Sequence, residues 1–193
     1  MFQWFNFLLY AVSTAATPGP NNIMSMTNGG HLGFKKALPF NFGIWVGFSL
    51  VMILCTLFCA TLASYIPLVK MPLLIIGAIY MLYLARSTYK SSSKLKKGTG
   101  GSGFISGFIL QFVNPKIYIY GIMSMEAYIL PYYSQEPLTL LKFAMFLAFI
   151  GFAFTLGWSA FGALFNLLFT KYAKIVNTIM SLLLVYCAIS LFQ

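Results

Sequence analysis

Charged residues are so sparse along this chain that they cut it into long uncharged windows: 1–34, 37–69, 71–85, 98–115, 143–170 and 175–193. A helix that spans a bilayer needs roughly 20 apolar residues, each adding about 1.5 Å. The windows therefore predict six helices, at about 3–27, 38–66, 71–88, 103–128, 138–168 and 172–192. The third window is short, but Tyr80, Tyr83 and Arg86 are side chains that sit at an interface or snorkel. Six such helices with short connections use the whole length, so 1–193 reads as a single transmembrane unit. Its one clear linker, about 91–102, is rich in Ser, Lys and Gly and flexible in composition. It divides the chain into three helices (about 1–90) and three more (about 103–193).

Composition makes the environment unambiguous. Of 193 residues 60% are hydrophobic and only 7% charged, against about a quarter charged in a soluble domain. The reading is an all-α integral membrane protein. Ala15 and Ala16 imitate a signal-peptide cleavage site, but no positive n-region precedes them, so the first helix is expected to stay. The net charge of +10 would suggest nucleic acid in a soluble protein; in a membrane it reads as orientation. With six spans, the odd connections hold Lys35, Lys36, Arg86, Lys90, Lys94, Lys96, Lys97, Lys171 and Lys174, and the other side only Lys70 and Lys142. Nine against two places the basic loops in the cytoplasm and both termini outside, in a cell membrane. Membrane lipid is then the expected neighbour, and nucleic acid is not.

Each half carries a proline motif inside its first helix: Thr17-Pro18-Gly19-Pro20-Asn21-Asn22, and Asn114-Pro115-Lys116. Pro18 and Pro115 are 97 residues apart, and Ile23-Met24-Ser25-Met26 recurs as Ile122-Met123-Ser124-Met125 at an offset of 99. Two correspondences at nearly one offset indicate an internal repeat. Three helices is an odd number, so the second copy enters the membrane upside down. The expected fold is thus two inverted three-helix repeats, each with a broken first helix, the plan in which paired interrupted helices mark a transporter's binding site.

The prolines remove backbone donors, and the carbonyls they free cost several kcal/mol each, roughly, if left facing lipid. Asn21 and Asn22 are placed to serve them, and the helix start after Pro20 presents free N–H groups that suit a carboxylate. Counting inward from Lys35 and from Gly103 puts both breaks about 20 Å deep, so they can meet. Lys116 then either snorkels to an interface or faces a wet cavity, where its ammonium attracts a substrate carboxylate.

At these motifs the sequence resembles the LysE/RhtB amino-acid exporters, whose TPGP and NPK signatures correspond to Thr17–Pro20 and Asn114–Lys116. The run Leu110-Gln111-Phe112-Val113-Asn114 belongs to the same resemblance, which extends over the full length. It implies export from the cytoplasm of a small zwitterionic amino acid or derivative, cysteine- or O-acetylserine-like, driven by protons and needing no cofactor. The substrate-binding residues it implies are Thr17, Pro18, Gly19, Pro20, Asn21, Asn22, Gln111, Asn114, Pro115 and Lys116. Many family members carry Asp where this chain has Asn21, so coupling through that carboxylate is not available. Glu126 and His31 are the remaining proton-coupling candidates, although each reads more readily as an interfacial residue.

Other features change little. Cys55, Cys59 and Cys187 lie in apolar helices and read as packing, with no His or carboxylate near enough to complete a metal site. Gly43 and Gly47, and Gly103 and Gly107, form faces suited to close packing, within the chain or in a homodimer. Tyr118 and Tyr120 flank the second break and could line a site. No Walker loop occurs. An intramembrane Ser–Lys enzyme using Lys116 with Ser106, Ser124 or Ser159 is the alternative class, and export of another small solute the alternative substrate.

Overall fold

The computed structural model describes residues 2–62, 66–90, 103–165 and 171–190. Every regular element among them is helical: α1 (Trp4–Ala16), α2 (Pro20–Leu32), α3 (Phe34–Leu62), α4 (Ile66–Lys90), α5 (Phe104–Val113), α6 (Pro115–Ser124), a π-helical turn (Met125–Ile129), α7 (Leu130–Tyr133), α8 (Pro137–Leu164) and α9 (Ala173–Ser190). Both expected breaks are present. Proline stands at the first position of α2 and of α6, where its missing N–H costs nothing and its fixed φ suits a helix start. The preceding residues, Gly19 and Asn114, are extended, as residues before proline prefer to be.

Several boundaries differ from the sequence reading, each for a local reason. The first broken helix does not stop near residue 27 but runs to Leu32, and the corner to α3 is Gly33 alone, at φ 81°. Glycine reaches that backbone region without steric cost. Lys35 and Lys36 therefore occupy the first turn of α3 instead of a loop, and His31 lies in the last turn of α2. Arg86 and Lys90 likewise belong to α4. The fourth expected helix continues past residue 128 to Tyr133, through the π turn that precedes Pro131. Proline denies the helix a donor and crowds the turn before it, and a widened turn relieves both. Residues 91–102, expected as the linker, lie outside the described residues.

The helices Phe34–Cys59 and Pro137–Leu164 are long and apolar enough to cross a membrane, with mean hydropathies of 2.3 and 2.0. Trp4–Ala16 and Phe104–Val113 are shorter apolar helices because each is half of a broken one. The outer surface carries Phe5, Leu9, Ile79, Phe149, Leu164 and Leu182 exposed, more apolar area than water tolerates. This is a membrane protein turned to lipid. Inside, one apolar core joins Phe7 and Ala11 of α1 to Val51, Met52, Tyr120, Ala144 and Leu147. A second joins Ile23 and Met24 of α2 to Phe40, Ile44, Leu84, Leu110 and Leu184. The two halves of the first broken helix are thus anchored in different cores, with the break between them.

Glycines set the distance between α3 and α5. A Cβ on Gly43 would lie 2.0 Å from the Phe104 carbonyl oxygen, and one on Gly107 would lie 2.1 Å from that of Phe40. These faces are filled within the chain, whereas Gly103 meets nothing within 4 Å. Gly43→Ala and Gly107→Ala should each destabilise the detergent-purified protein by about 1–3 kcal/mol through overpacking. Thermal unfolding followed by circular dichroism should show the loss, while Gly103→Ala leaves the midpoint where it is.

Candidate functional site

The end of α1 leaves carbonyls with no helical partner, and the sequence supplies a partner for each. Thr17 N–H donates to the Ser13 carbonyl at 3.1 Å, and Thr17 Oγ1 to that of Thr14 at 2.8 Å. Asn22 Nδ2 donates to the carbonyls of Ala15 at 2.8 Å and Thr17 at 2.9 Å. Trp158 Nε1 on α8 reaches the Ala16 carbonyl at 3.3 Å. Asn22 sits on the first turn of α2, so one side chain closes the break across its own gap.

The second break is bound to the first. Asn21 Nδ2 donates to Gln111 Oε1 at 2.8 Å, and Gln111 Nε2 donates back to Asn21 Oδ1 at 3.2 Å. Asn114 Nδ2 donates to the same Asn21 oxygen at 3.2 Å. Gln111 also satisfies the Gly107 carbonyl at 2.8 Å, and Asn114 Oδ1 caps α6 by accepting from the Lys116 N–H at 3.2 Å. All three amides are buried, and so are paired as buried polar groups must be.

The Lys116 ammonium turns to the first break. Its Nζ donates to the Thr17 carbonyl at 2.9 Å and to Thr17 Oγ1 at 2.8 Å, tying the start of α6 to the end of α1. A Cβ on Gly19 would meet Lys116 Cδ at 3.0 Å and Nζ at 3.1 Å, so the glycine makes room for the lysine stem.

A cavity of about 40 Å³ opens where these elements meet. Its polar wall is Gly19, Pro20, Asn21, Asn22, Asn114 and Lys116. Pro20 at N1 leaves the first free backbone donors of α2 to Asn21 and Asn22, and no side chain caps that helix start. A partial positive helix end and an ammonium therefore share one small cavity, a combination suited to an anion such as a carboxylate.

Of the residues expected at the site, Thr17 and Gln111 act through the bonds above, Pro115 is buried at the start of α6, and Pro18 is exposed at the break. Tyr120 lines the cavity; Tyr118 instead donates to the Phe112 carbonyl at 3.1 Å. Phe48 of α3 and Gly151 and Thr155 of α8 also line it. They sit in unbroken helices with no local motif, and only a depth count would have found them: Phe48 is fourteen residues into α3, about 21 Å, level with Pro20. A Cβ on Gly151 would lie 2.1 Å from Phe48 Cε1, so the glycine admits the ring that forms the apolar wall.

The coupling candidates lie elsewhere. Glu126 is exposed on the π turn, off the cavity wall. His31 Nε2 pairs with Asn177 Oδ1 of α9 at 2.8 Å, eleven residues or about 16 Å of helix from Pro20. Neither Ser124 nor Ser159 pairs with Lys116: their hydroxyls have no hydrogen-bond partner among the described residues, while the ammonium is held by Thr17.

Helices broken at two proline motifs that meet over a cationic cavity, inside an apolar bundle, define a membrane transporter. The chain belongs to the LysE type translocator family, which matches residues 12–193. Among its relatives, the cysteine/O-acetylserine efflux protein of Klebsiella pneumoniae is 37% identical over 188 residues, covering 95% of this chain and 93% of its own. The protein of that name from Escherichia coli O1:K1 is 36% identical, covering 96% and 95%. That of Escherichia coli K12 is 35% identical with the same coverage. No solved structure matches this chain.

The Asn21 amide is the joint between the two breaks. Asn21→Leu keeps the branched shape but strands Gln111 Oε1 and Asn114 Nδ2, a cost of about 1–3 kcal/mol for each buried group left unpaired. Thermal unfolding in detergent should register that loss, and Asn21→Asp, which still accepts both bonds, should retain more of the stability than Asn21→Leu.

Proposed function

We propose that this protein exports a small zwitterionic amino acid or derivative, cysteine- or O-acetylserine-like, from the cytoplasm across the cell membrane. The observation that carries the proposal is the shared cavity of the uncapped α2 start and the Lys116 ammonium. The names of the relatives support the substrate class. In this reading the substrate carboxylate binds at the helix start after Pro20 and draws Lys116 from Thr17. The amides of Asn21, Asn22 and Asn114 hold the remaining polar groups. Phe48 and Tyr120 border the side chain.

The architecture proposed is six spans in two inverted repeats: α1–α2, α3, α4, and α5–α6–α7, α8, α9. Corresponding helices pair across the halves, α3 with α8 and α4 with α9, an arrangement compatible with an in-plane two-fold relation, and this supports the plan. The excess of basic residues at one set of helix ends supports cytoplasmic placement there, with both termini outside. At about 40 Å³ the cavity admits about three waters by volume, less than an amino acid. Rocking one half against the other would widen it and change the side to which it opens.

Lys116→Met retains the stem and removes the charge. Purified protein in liposomes loaded with labelled O-acetylserine, cysteine and serine should lose export about 10- to 10²-fold, since a charged hydrogen-bond donor is worth about 1.5–3 kcal/mol. Unchanged kinetics would overturn the pose. Wild-type liposomes that move none of the three would overturn the substrate class.

Proton antiport is part of the proposal, with Glu126 as carrier. The chain has two acids, and Glu136 accepts from Thr139 Oγ1 at 2.8 Å at the start of α8. Glu126 lies on the same continuous segment as Lys116, so displacement of α6 moves the π turn with it. Glu126→Gln should abolish accumulation driven by a pH gradient alone and spare substrate-for-substrate exchange. Accumulation at the wild-type rate would leave export standing and remove Glu126 from it.

A further inference from the structure

Among the described residues, five buried side-chain polar atoms have no hydrogen-bond partner: Ser25 Oγ, Asn41 Oδ1, Trp45 Nε1, Ser124 Oγ and Ser159 Oγ. Buried polar groups without partners are rare because each forfeits its hydration. Here four of the five fall on α2, α3 and α8, three helices packed against one another.

Helical spacing extends the cavity wall toward them. Phe48 lines the cavity, and Trp45 and Asn41 are three and seven residues before it, on the same face of α3. Thr155 lines the cavity, and Ser159 is one turn further along α8. Asn21 lines it, and Ser25 is one turn further along α2. Ser25 is seven residues from the end of α2 and Asn41 seven from the start of α3, so both stand about 10 Å from the Gly33 corner. Ser159 is fixed nearby, since a Cβ on Gly29 would lie 2.0 Å from its carbonyl oxygen. Trp45 stacks on Phe152 of α8 at 5.0 Å. On the other side of the cavity the same helices present Val51, Met52, Ala144 and Leu147 to an apolar core.

We propose that the seam between α2, α3 and α8, from the cavity to the Gly33 corner, is the path by which the amino-acid zwitterion reaches the site from the basic helix ends. It is closed in this structure. Gly29 against Ser159, and Gly162 against the Met26 carbonyl at 2.0 Å from a built Cβ, hold α2 and α8 backbone to backbone. When the two helices part, Ser25, Asn41, Trp45 and Ser159 offer water and substrate the hydrogen bonds they lack when shut. The path rests on the proposed binding of substrate in the cavity.

The test replaces Cys55, Cys59 and Cys187, then introduces Ser25→Cys, Asn41→Cys or Ser159→Cys singly, with Phe42→Cys and Ala160→Cys as exposed controls on α3 and α8. In liposomes, a charged methanethiosulfonate should modify the seam thiols on the order of tenfold faster than the controls, because only a wetted thiol ionises. O-acetylserine should change the seam rates alone. Seam thiols no faster than the controls, in protein that still transports, overturn the path. Fast seam labelling in protein that transports no amino acid supports the path and overturns the substrate. A second measurement avoids thiols: Ser25→Ala with Ser159→Ala removes two stranded atoms. It should raise the unfolding midpoint while slowing transport on the order of tenfold, the value of about one lost hydrogen bond. A more stable variant that transports at the wild-type rate overturns the path.

Discussion

A helix cannot break inside an apolar medium unless its freed carbonyls find donors, and the rest of this molecule is arranged around that requirement. Pro18 and Pro20 make the break unavoidable. The groups that satisfy it are drawn from every part of the chain: Thr17 itself, Asn22 across the gap, Trp158 from α8 and Lys116 from the second break. Each donor is also a tether. The structure that closes the first break therefore fixes α1, α2, α6 and α8 relative to one another at one depth.

That arrangement explains why the most polar of the long elements is among the most buried. Ten of the thirteen residues of α2 are buried, including Asn21, Asn22, Ser25, Thr27 and Asn28. A helix of this composition would be placed on the surface of a soluble protein. Here the outer apolar faces are left to lipid, and the interior takes the polar side chains of α2 beside its two apolar cores. Glycines at 29, 43, 107 and 162 let backbones meet directly, which supplies packing where burial of apolar side chains gives no advantage over lipid.

How much of this could be read beforehand follows from where the signal is local. Pro18, Pro20 and Pro115 announce their breaks because proline acts on its own backbone. Lys116 announces itself because a charge at that depth has few places to go. The amides of Asn21 and Asn22 were legible as partners of the first break; Asn22 does serve it, whereas Asn21 bonds to Gln111 and Asn114 instead, which depends on the two halves docking. Helix ends were legible less well. One glycine at 33 turned an expected loop into a corner and moved Lys35 and Lys36 into α3. Phe48, Gly151 and Thr155 carry no local signal beyond their depth, since a residue in the middle of a long helix acquires its role from the helix opposite.

The Lys116–Thr17 contact links stability to function in the export reading. With the cavity small, the ammonium serves the Thr17 carbonyl, and the break is satisfied from within. A carboxylate at the α2 start would be a stronger acceptor than a carbonyl, because charge-assisted bonds are about twice as strong as neutral ones. Moving Lys116 to it leaves the Thr17 carbonyl with the Asn22 bond alone. The tether between α6 and α1 would then be lost as the substrate arrives, and the substrate would take over as the bridge between the two halves. Binding and release of the halves are then one exchange of hydrogen bonds. A single lysine could not perform it if the two breaks were at different depths.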